Sequence, residues 1–126
     1  MSRWSPSRVI TDRKSRFQGF HIPLATSKEI PTLIEQFLAE NKAAKRASHP
    51  HIYAWKTQTG QAIAQGHEDN GEKGAGARLL DGVVLKHDLT NILVIVTRWY
   101  GGTPLGGARF RHIVHAGVDS IKQRMN

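Results

Sequence analysis

The amino-acid sequence predicts a two-layer α/β (α+β) sandwich, in which helices cover one face of a mixed four-stranded sheet. Two observations predict this fold class. A continuous apolar and β-branched run at residues 92–96 is typical of a strand buried on both faces or nearly so. Apolar residues also recur at helical spacing in segments 30–38 and 110–121, which predicts two amphipathic helices.

The first predicted strand covers residues 16–24 and ends near Pro23, which cannot donate a hydrogen bond to a neighbouring strand. A helix is predicted next, because Thr26 and Glu29 have the Thr-x-x-Glu spacing of a capping box. The apolar stripe of this helix consists of Ile30, Leu33, Ile34, Phe37 and Leu38.

A β-hairpin is predicted from residues 51–57 and 62–65, which flank a polar turn. The remaining elements are, in order, a polar Gly-rich loop at 66–74, a helix containing 79–84, the buried strand at 91–97, a second Gly-rich loop at 101–107 and the last helix. The predicted order is therefore strand, helix, hairpin, helix, strand, helix.

The length of 126 residues and the hydrophobic content of 39% predict one domain with one core. We expect that domain at residues 11–126, preceded by a flexible basic tail at residues 1–10. The chain has no cysteine, which excludes disulfides, thiolate nucleophiles and thiolate zinc sites. No apolar run approaches the roughly 20 residues of a membrane-spanning helix, so no membrane partner is expected.

The formal charge is +8, from 18 Lys and Arg against 10 Asp and Glu. Such a balance favours polyanionic partners, namely nucleic acid, the ribosome or an acidic protein surface.

The Gly-rich loop at residues 101–107 lies between the buried strand and the last helix. This arrangement can hold an anion on backbone N–H groups, and Arg98 and Arg109 would add positive charge. The glycine spacing matches neither the dinucleotide fingerprint nor the phosphate loop of nucleotide hydrolases. The alternative is a tight turn in which Trp99 and Tyr100 are packing residues.

The other Gly-rich loop carries three carboxylates, Glu68, Asp69 and Glu72. Carboxylates this close in sequence can bind Mg²⁺ or supply an acid/base pair. A solvated acidic loop is the alternative. No serine stands in a nucleophile-elbow motif.

The histidines suggest two further sites. His49 and His51, together with His67, have the residue types of a zinc site, but the spacing fixes no third ligand, so no metal or cofactor is predicted. His112 and His115 share one face of the last helix, and we interpret them as polar-face residues.

The chain resembles the Impact family in a segment made of Arg98, Trp99, Tyr100, Gly101 and Gly102, followed by Leu105 and Gly106. Three further segments, at residues 14–17, 47–54 and 68–76, resemble the other motifs of that family. Residues 109–113 are closer to its eukaryotic branch. The resemblance covers residues 11–124, and it implies a stand-alone N-terminal-type domain without the RWD domain of the family's regulators.

The resemblance also implies a fold similar to the second domain of a small-subunit ribosomal protein. Eukaryotic members of the family regulate translation under amino-acid starvation. They compete for a ribosome-associated activator of a kinase, and actin is a further partner. No catalytic activity is established for the family. We therefore expect a non-catalytic module of translation control in the cytoplasm, which binds a protein partner of that pathway, the ribosome or RNA.

The alternative function is an enzyme that acts on a small phosphorylated or nucleotide substrate between the two Gly-rich loops. Arg98 would then bind the anion, and Asp69 or Glu72 would act as base or metal ligand. A mitochondrial location also stays open, because the first residues are basic and rich in serine. The candidate anion- or partner-binding residues are Arg16, His49, Glu68, Asp69, Glu72, Arg98, Trp99, Tyr100, Gly101, Gly102, Leu105, Gly106, Arg109 and His112.

Overall fold

The computed structural model describes residues 3–125. The strands are β1 (Ser5–Pro6), β2 (Ile10–Asp12), β3 (Ser15–Pro23), β4 (His49–Thr59), β5 (Ala62–Glu68) and β6 (Ile92–Trp99). The helices are α1 (Ile30–Glu40), α2 (Lys42–Lys45), α3 (Ala75–Leu79) and α4 (Ala108–Met125), with a 3₁₀ turn at Ser27–Glu29 and a π-helical turn at Leu80–Leu85. The strands form one sheet in the order β1-β3-β6-β4-β5, and β2 pairs with β3.

Strand β6 lies at the centre of the sheet and contributes to two hydrophobic cores. Side chains alternate between the faces of a strand. Leu93 and Ile95 accordingly pack with α1 and α2, whereas Val94 and Val96 pack with α3, the π-helical turn and α4. All four side chains are fully buried.

The α+β class and the order of the predicted elements are confirmed, but two details of the predicted sheet are wrong. The sheet is antiparallel throughout rather than mixed. Helices cover both of its faces rather than one. Helices cover both faces because the apolar side chains of residues 92–96 project from both of them, and each set must be shielded from water. Two short strands, β1 and β2, add to the four predicted ones.

The segment predicted as a flexible tail, residues 1–10, belongs to the fold from its fourth residue onward. Trp4 is only 6% exposed, and its ring meets that of Phe37 edge to face at a centroid distance of 5.1 Å. Strand β1 begins at the residue after Trp4 and pairs with β3. Burial of a large aromatic side chain offsets the entropy lost when these residues are ordered. Residues 1 and 2 lie outside the described part of the chain.

The predicted capping box is confirmed at the start of the first helical segment. Thr26 accepts a hydrogen bond from the backbone of Lys28, and Glu29 Oε1 accepts one from the backbone N–H of Thr26 at 3.1 Å. The capped 3₁₀ turn continues into α1, where Pro31 occupies the first turn and needs no backbone donor.

The helix predicted around residues 79–84 forms as α3 followed by the π-helical turn. The N–H of Lys86 donates to the carbonyl of Asp81 at 3.1 Å, and that of Leu89 donates to Val84 at 2.9 Å. This five-residue spacing is the mark of a π-helix. No helix described between residues 3 and 125 is both long and apolar enough to cross a membrane.

Helix α4 packs directly on β3 because Gly19 has no side chain. A Cβ atom at this position would lie 2.2 Å from the carbonyl oxygen of Ala116. The close approach fixes the middle of α4 against the middle of β3.

Candidate functional site

The two Gly-rich loops meet in a cleft of about 450 Å³ near the start of α4. Seven of the predicted residues line it: His49, Glu72, Arg98, Tyr100, Leu105, Gly106 and Arg109. Gly71 and Pro104 also line the cleft and were not among the predicted site residues, although both lie in the two predicted Gly-rich loops.

Glu72 lies at the centre of the charges in the cleft. Its Oε2 accepts a hydrogen bond from Nη1 of Arg98, and its Oε1 accepts one from Nε of Arg109 at 2.8 Å. Nε2 of His49 lies 3.6 Å from Oε2. Glu72 and Arg98 are 7% and 4% exposed, so this ion pair is shielded from water.

The arrangement determines what the cluster can do chemically. A buried carboxylate needs opposite charge and hydrogen bonds to offset its lost hydration, and the two arginines supply both. Each Glu72 oxygen is engaged by a guanidinium, so the group is poorly placed to accept a proton from a substrate. Nε of Arg98 is a buried donor without an acceptor among the described residues.

Two serines hold the loop that follows β6. Ser48 Oγ accepts a hydrogen bond from the N–H of Tyr100 at 2.8 Å, and Ser15 Oγ accepts one from the N–H of Gly101 at 3.0 Å. A Cβ atom at Gly101 would lie 2.2 Å from the carbonyl carbon of Lys14. These N–H groups are therefore not available to an anion, and the geometry agrees with a tight turn packed on β3.

The acidic loop divides its carboxylates between different tasks. Oδ2 and Oδ1 of Asp69 accept hydrogen bonds from the backbone N–H groups of Gly74 at 3.0 Å and Gly76 at 2.7 Å. These bonds lower the pKa of Asp69, and the bond from Gly74 has the larger effect. Oε1 of Glu68 accepts from the N–H of Asn70. Neither residue lines the cleft, so of the two carboxylates offered as base or metal ligand beside Arg98, Glu72 lies there and Asp69 does not.

His49 and His51 serve the same loop. Nδ1 of His49 lies 3.0 Å from the carbonyl oxygen of Asn70, and the side-chain oxygen of Asn70 accepts a hydrogen bond from the N–H of His51. Within residues 3–125, no group of three or more histidine or acidic side chains is arranged to hold a metal ion.

Arg16 and Trp99 lie outside the cleft, toward α2. The indole Nε1 of Trp99 donates to the carbonyl oxygen of Ala43 at 2.9 Å. The guanidinium carbon of Arg16 lies 4.9 Å from the centre of a Trp99 ring, within the range of a cation–π contact. Trp99 thus joins the end of β6 to α2.

His112 connects α4 to β2. Its Nε2 lies 2.7 Å from Oδ2 of Asp12, and its ring packs 5.1 Å from that of Phe17. Hydrogen bonds from Arg13 and then from His112 lower the pKa of Asp12 to about 2. Asp12 was not predicted as a partner, because 100 residues separate it from His112 in sequence.

The fold and the cleft define a class of protein: a small α+β domain whose two Gly-rich loops close on a buried arginine–glutamate cluster. Residues 13–121 match the Impact N-terminal domain. The chain belongs to this family, which confirms the resemblance seen in its motifs.

Relatives of different length share this domain. IMPACT family member YDL177C of Saccharomyces cerevisiae is 39% identical, over 95% of this chain and 91% of that protein. Protein IMPACT of Homo sapiens is 41% identical over 82% of this chain, but the match covers only 32% of the human protein. The chain therefore spans about a third of the length of such IMPACT proteins.

Two solved structures are similar. The two-domain translational regulator Yih1 has 30% sequence identity and a TM-score of 0.60, over 98% of this chain and 47% of that one. A protein described as hypothetical has 24% identity and a TM-score of 0.70, over 99% and 61% of the two chains. The second match concerns the fold alone.

Proposed function

We propose that this chain is a non-catalytic binding module of translation control, which contacts a ribosome-associated protein through the cleft. The observation that carries the proposal is the state of Glu72, whose two oxygens are both held by arginines. A carboxylate bound in this way shapes a surface and is not free to act as a base. The cleft therefore suits recognition better than proton transfer.

The relatives support the functional context. The similar structure of Yih1 is that of a translational regulator, and this chain matches about half of it. We place the chain in the same process, in the cytoplasm and in the response to nutrient stress. Its partner in this proposal is the ribosome-associated activator of the starvation kinase.

The cleft favours a protein partner over RNA or actin as the first ligand to test. Arg98 and Arg109 already donate to Glu72, which leaves them less able to bind phosphates than free arginines would be. Tyr100 is 49% exposed at the cleft, and Pro104 is also exposed there. Exposed aromatic side chains are common anchors of protein interfaces.

The test is affinity purification of the full chain from native lysate, with and without nuclease. We expect ribosome-associated proteins to be recovered in both conditions. Tyr100→Ala should reduce their recovery. The matched control is Ile63→Ala, because Ile63 is 58% exposed at the far end of the β4–β5 hairpin.

Three results would contradict the proposal. Recovery that depends on intact RNA and declines steeply with salt would identify RNA as the ligand. Recovery of actin alone would place the partner outside translation. Equal recovery of ribosome-associated proteins by Tyr100→Ala and wild type would show that the cleft is not the contact surface.

A further inference from the structure

A second concave surface lies beside the cleft, between the π-helical turn and α4. We call it the groove, and it has a volume of about 400 Å³. Gly82, Phe110 and Val114 are half-buried within it, while the exposed residues around them are Arg78, Asp81, Arg111 and His115. The groove thus has an apolar floor and a polar rim.

Gly82 keeps the groove open. A Cβ atom there would lie 3.0 Å from Cγ1 of Val114, so any larger residue would narrow the space between the two elements. The opening is of a size that accepts one or two apolar side chains of a partner.

The rim carries more positive than negative charge. Two arginines, Arg78 and Arg111, face one carboxylate, Asp81. The guanidinium of Arg111 takes part in none of the ion pairs found within residues 3–125. Among the described residues, the Arg78 guanidinium donates a single long hydrogen bond, of 3.5 Å, to the carbonyl oxygen of Gly74. Both groups can therefore donate to carboxylates of a bound segment.

The contacts of Phe110 favour a protein ligand over a nucleic acid. The guanidinium carbons of Arg78 and Arg109 lie 3.9 Å and 4.1 Å from the centre of its ring. A nucleobase stacks on a free aromatic face, and this ring already carries two guanidinium groups. A guanidinium stacked on a ring keeps N–H donors at its edge, in the geometry that matches a carboxylate.

We propose that the groove is a docking site for an acidic segment of a partner protein, which places an apolar side chain against Gly82 and Val114 and carboxylates against Arg78 and Arg111. The proposal extends the proposed function to a second contact surface. The residues that line the groove do not line the cleft, so the two can fail separately.

The test is selection of displayed random 12-residue peptides on the full chain. We expect the selected peptides to carry a large apolar residue flanked by Asp or Glu. With the best peptide as probe, Arg111→Glu should weaken binding about ten- to hundredfold. The change replaces a hydrogen-bond donor by a negative charge, which repels the carboxylates of the peptide. Lys122→Glu is the matched control: it makes the same charge change on the same helix at an exposed residue outside the groove.

Nuclear magnetic resonance of the labelled chain locates the probe. The expected result is that the peptide shifts the amide signals of Gly82, Phe110 and Val114, and that Val114→Ser, whose spectrum reports whether the fold persists, reduces the affinity. Tyr100→Ala should leave peptide affinity unchanged, which separates this site from the cleft.

Several outcomes would overturn the proposal. They are a selection that yields no binder, equal affinity of the probe for Arg111→Glu and Lys122→Glu, and amide shifts confined to residues outside the groove. Stronger shifts at the groove with a 12-nucleotide RNA than with the peptide would also overturn it, and would assign the surface to nucleic acid.

Discussion

Arg98 at the end of β6 donates a hydrogen bond to the buried carboxylate of Glu72, 26 residues away in the loop before α3. The pair joins the two Gly-rich loops, because Arg98 lies at the end of β6, just before one loop, and Glu72 lies in the other loop, before α3. It thereby fixes the walls of the cleft relative to each other.

Glu72→Gln should destabilise the fold by about 3 kcal/mol, because it leaves the charge of buried Arg98 uncompensated. The free energy of unfolding in urea measures this change. Glu35→Gln, at an exposed position on α1, is the control and should stay within about 0.5 kcal/mol of wild type. Equal stability of the two variants would show that the pair contributes nothing to folding.

Gly101→Ala should cost about 2 kcal/mol or more, because the added Cβ would lie 2.2 Å from a backbone carbon of β3's neighbour Lys14. Gly107→Ala in the same loop is the control, since no heavy atom lies within 4 Å of a Cβ placed there. We expect Gly107→Ala to change the free energy of unfolding by no more than about 0.5 kcal/mol. Similar losses in both variants would contradict the close packing of Gly101.

Stability should decline in acid as the pair of Arg8 and Asp119 is lost. The hydrogen bond from Arg8 lowers the pKa of Asp119 to about 2, below the value of about 3.9 in an unfolded chain. A depressed carboxyl pKa contributes stability above pH 4, and this contribution disappears as the pH falls toward 2. Urea unfolding of Asp119→Asn should therefore show a deficit at pH 7 that vanishes near pH 2.

The control for this titration is Asp81→Asn, which removes an exposed carboxylate that takes no part in the ion pairs within residues 3–125. It should show no comparable change between the two pH values. A deficit of Asp119→Asn that persists unchanged at pH 2 would argue against a role for the charge.

Trp4→Ala should destabilise the fold by about 3 kcal/mol, because it removes a buried aromatic side chain from the core beneath α1. Val9→Ala is the control, since Val9 is 50% exposed in the same segment. The midpoint of urea unfolding distinguishes the two. A Trp4→Ala protein as stable as Val9→Ala would restore the interpretation of the first residues as a loose tail.

The sequence predicts the individual elements better than their arrangement. The apolar run at residues 92–96 indicates burial on both faces, and this is what β6 shows. The direction of the strands cannot be predicted in this way, because the side-chain pattern of a buried strand is the same in a parallel and an antiparallel sheet. The position of α1 opposite α4 depends on how the chain crosses the sheet, which local periodicity does not encode.

The same limit applies to the cleft. The motifs identify Arg98 and the acidic loop separately, yet the pattern does not reveal that Glu72 turns inward while Asp69 caps the turn before α3. Ser15 and Ser48 lie in segments that resemble family motifs, but the sequence pattern assigns neither of them a role. Their hydroxyl groups accept hydrogen bonds from the loop after β6 only because of tertiary packing. Ser48 lies 52 residues from Tyr100 in sequence, and Ser15 lies 86 residues from Gly101.

Strand β6 presents Leu93 and Ile95 to one core and Val94 and Val96 to the other. Because one backbone carries both sets of side chains, the two cores cannot melt independently. Tryptophan fluorescence reports on the core beneath α1, because Trp4 is buried there and Trp55 and Trp99 pack against it. This signal and the nuclear magnetic resonance signal of His112 on α4 should report a single cooperative transition with one midpoint. The amides of β6 should exchange with solvent only through global unfolding, more slowly than those of the edge strand β5.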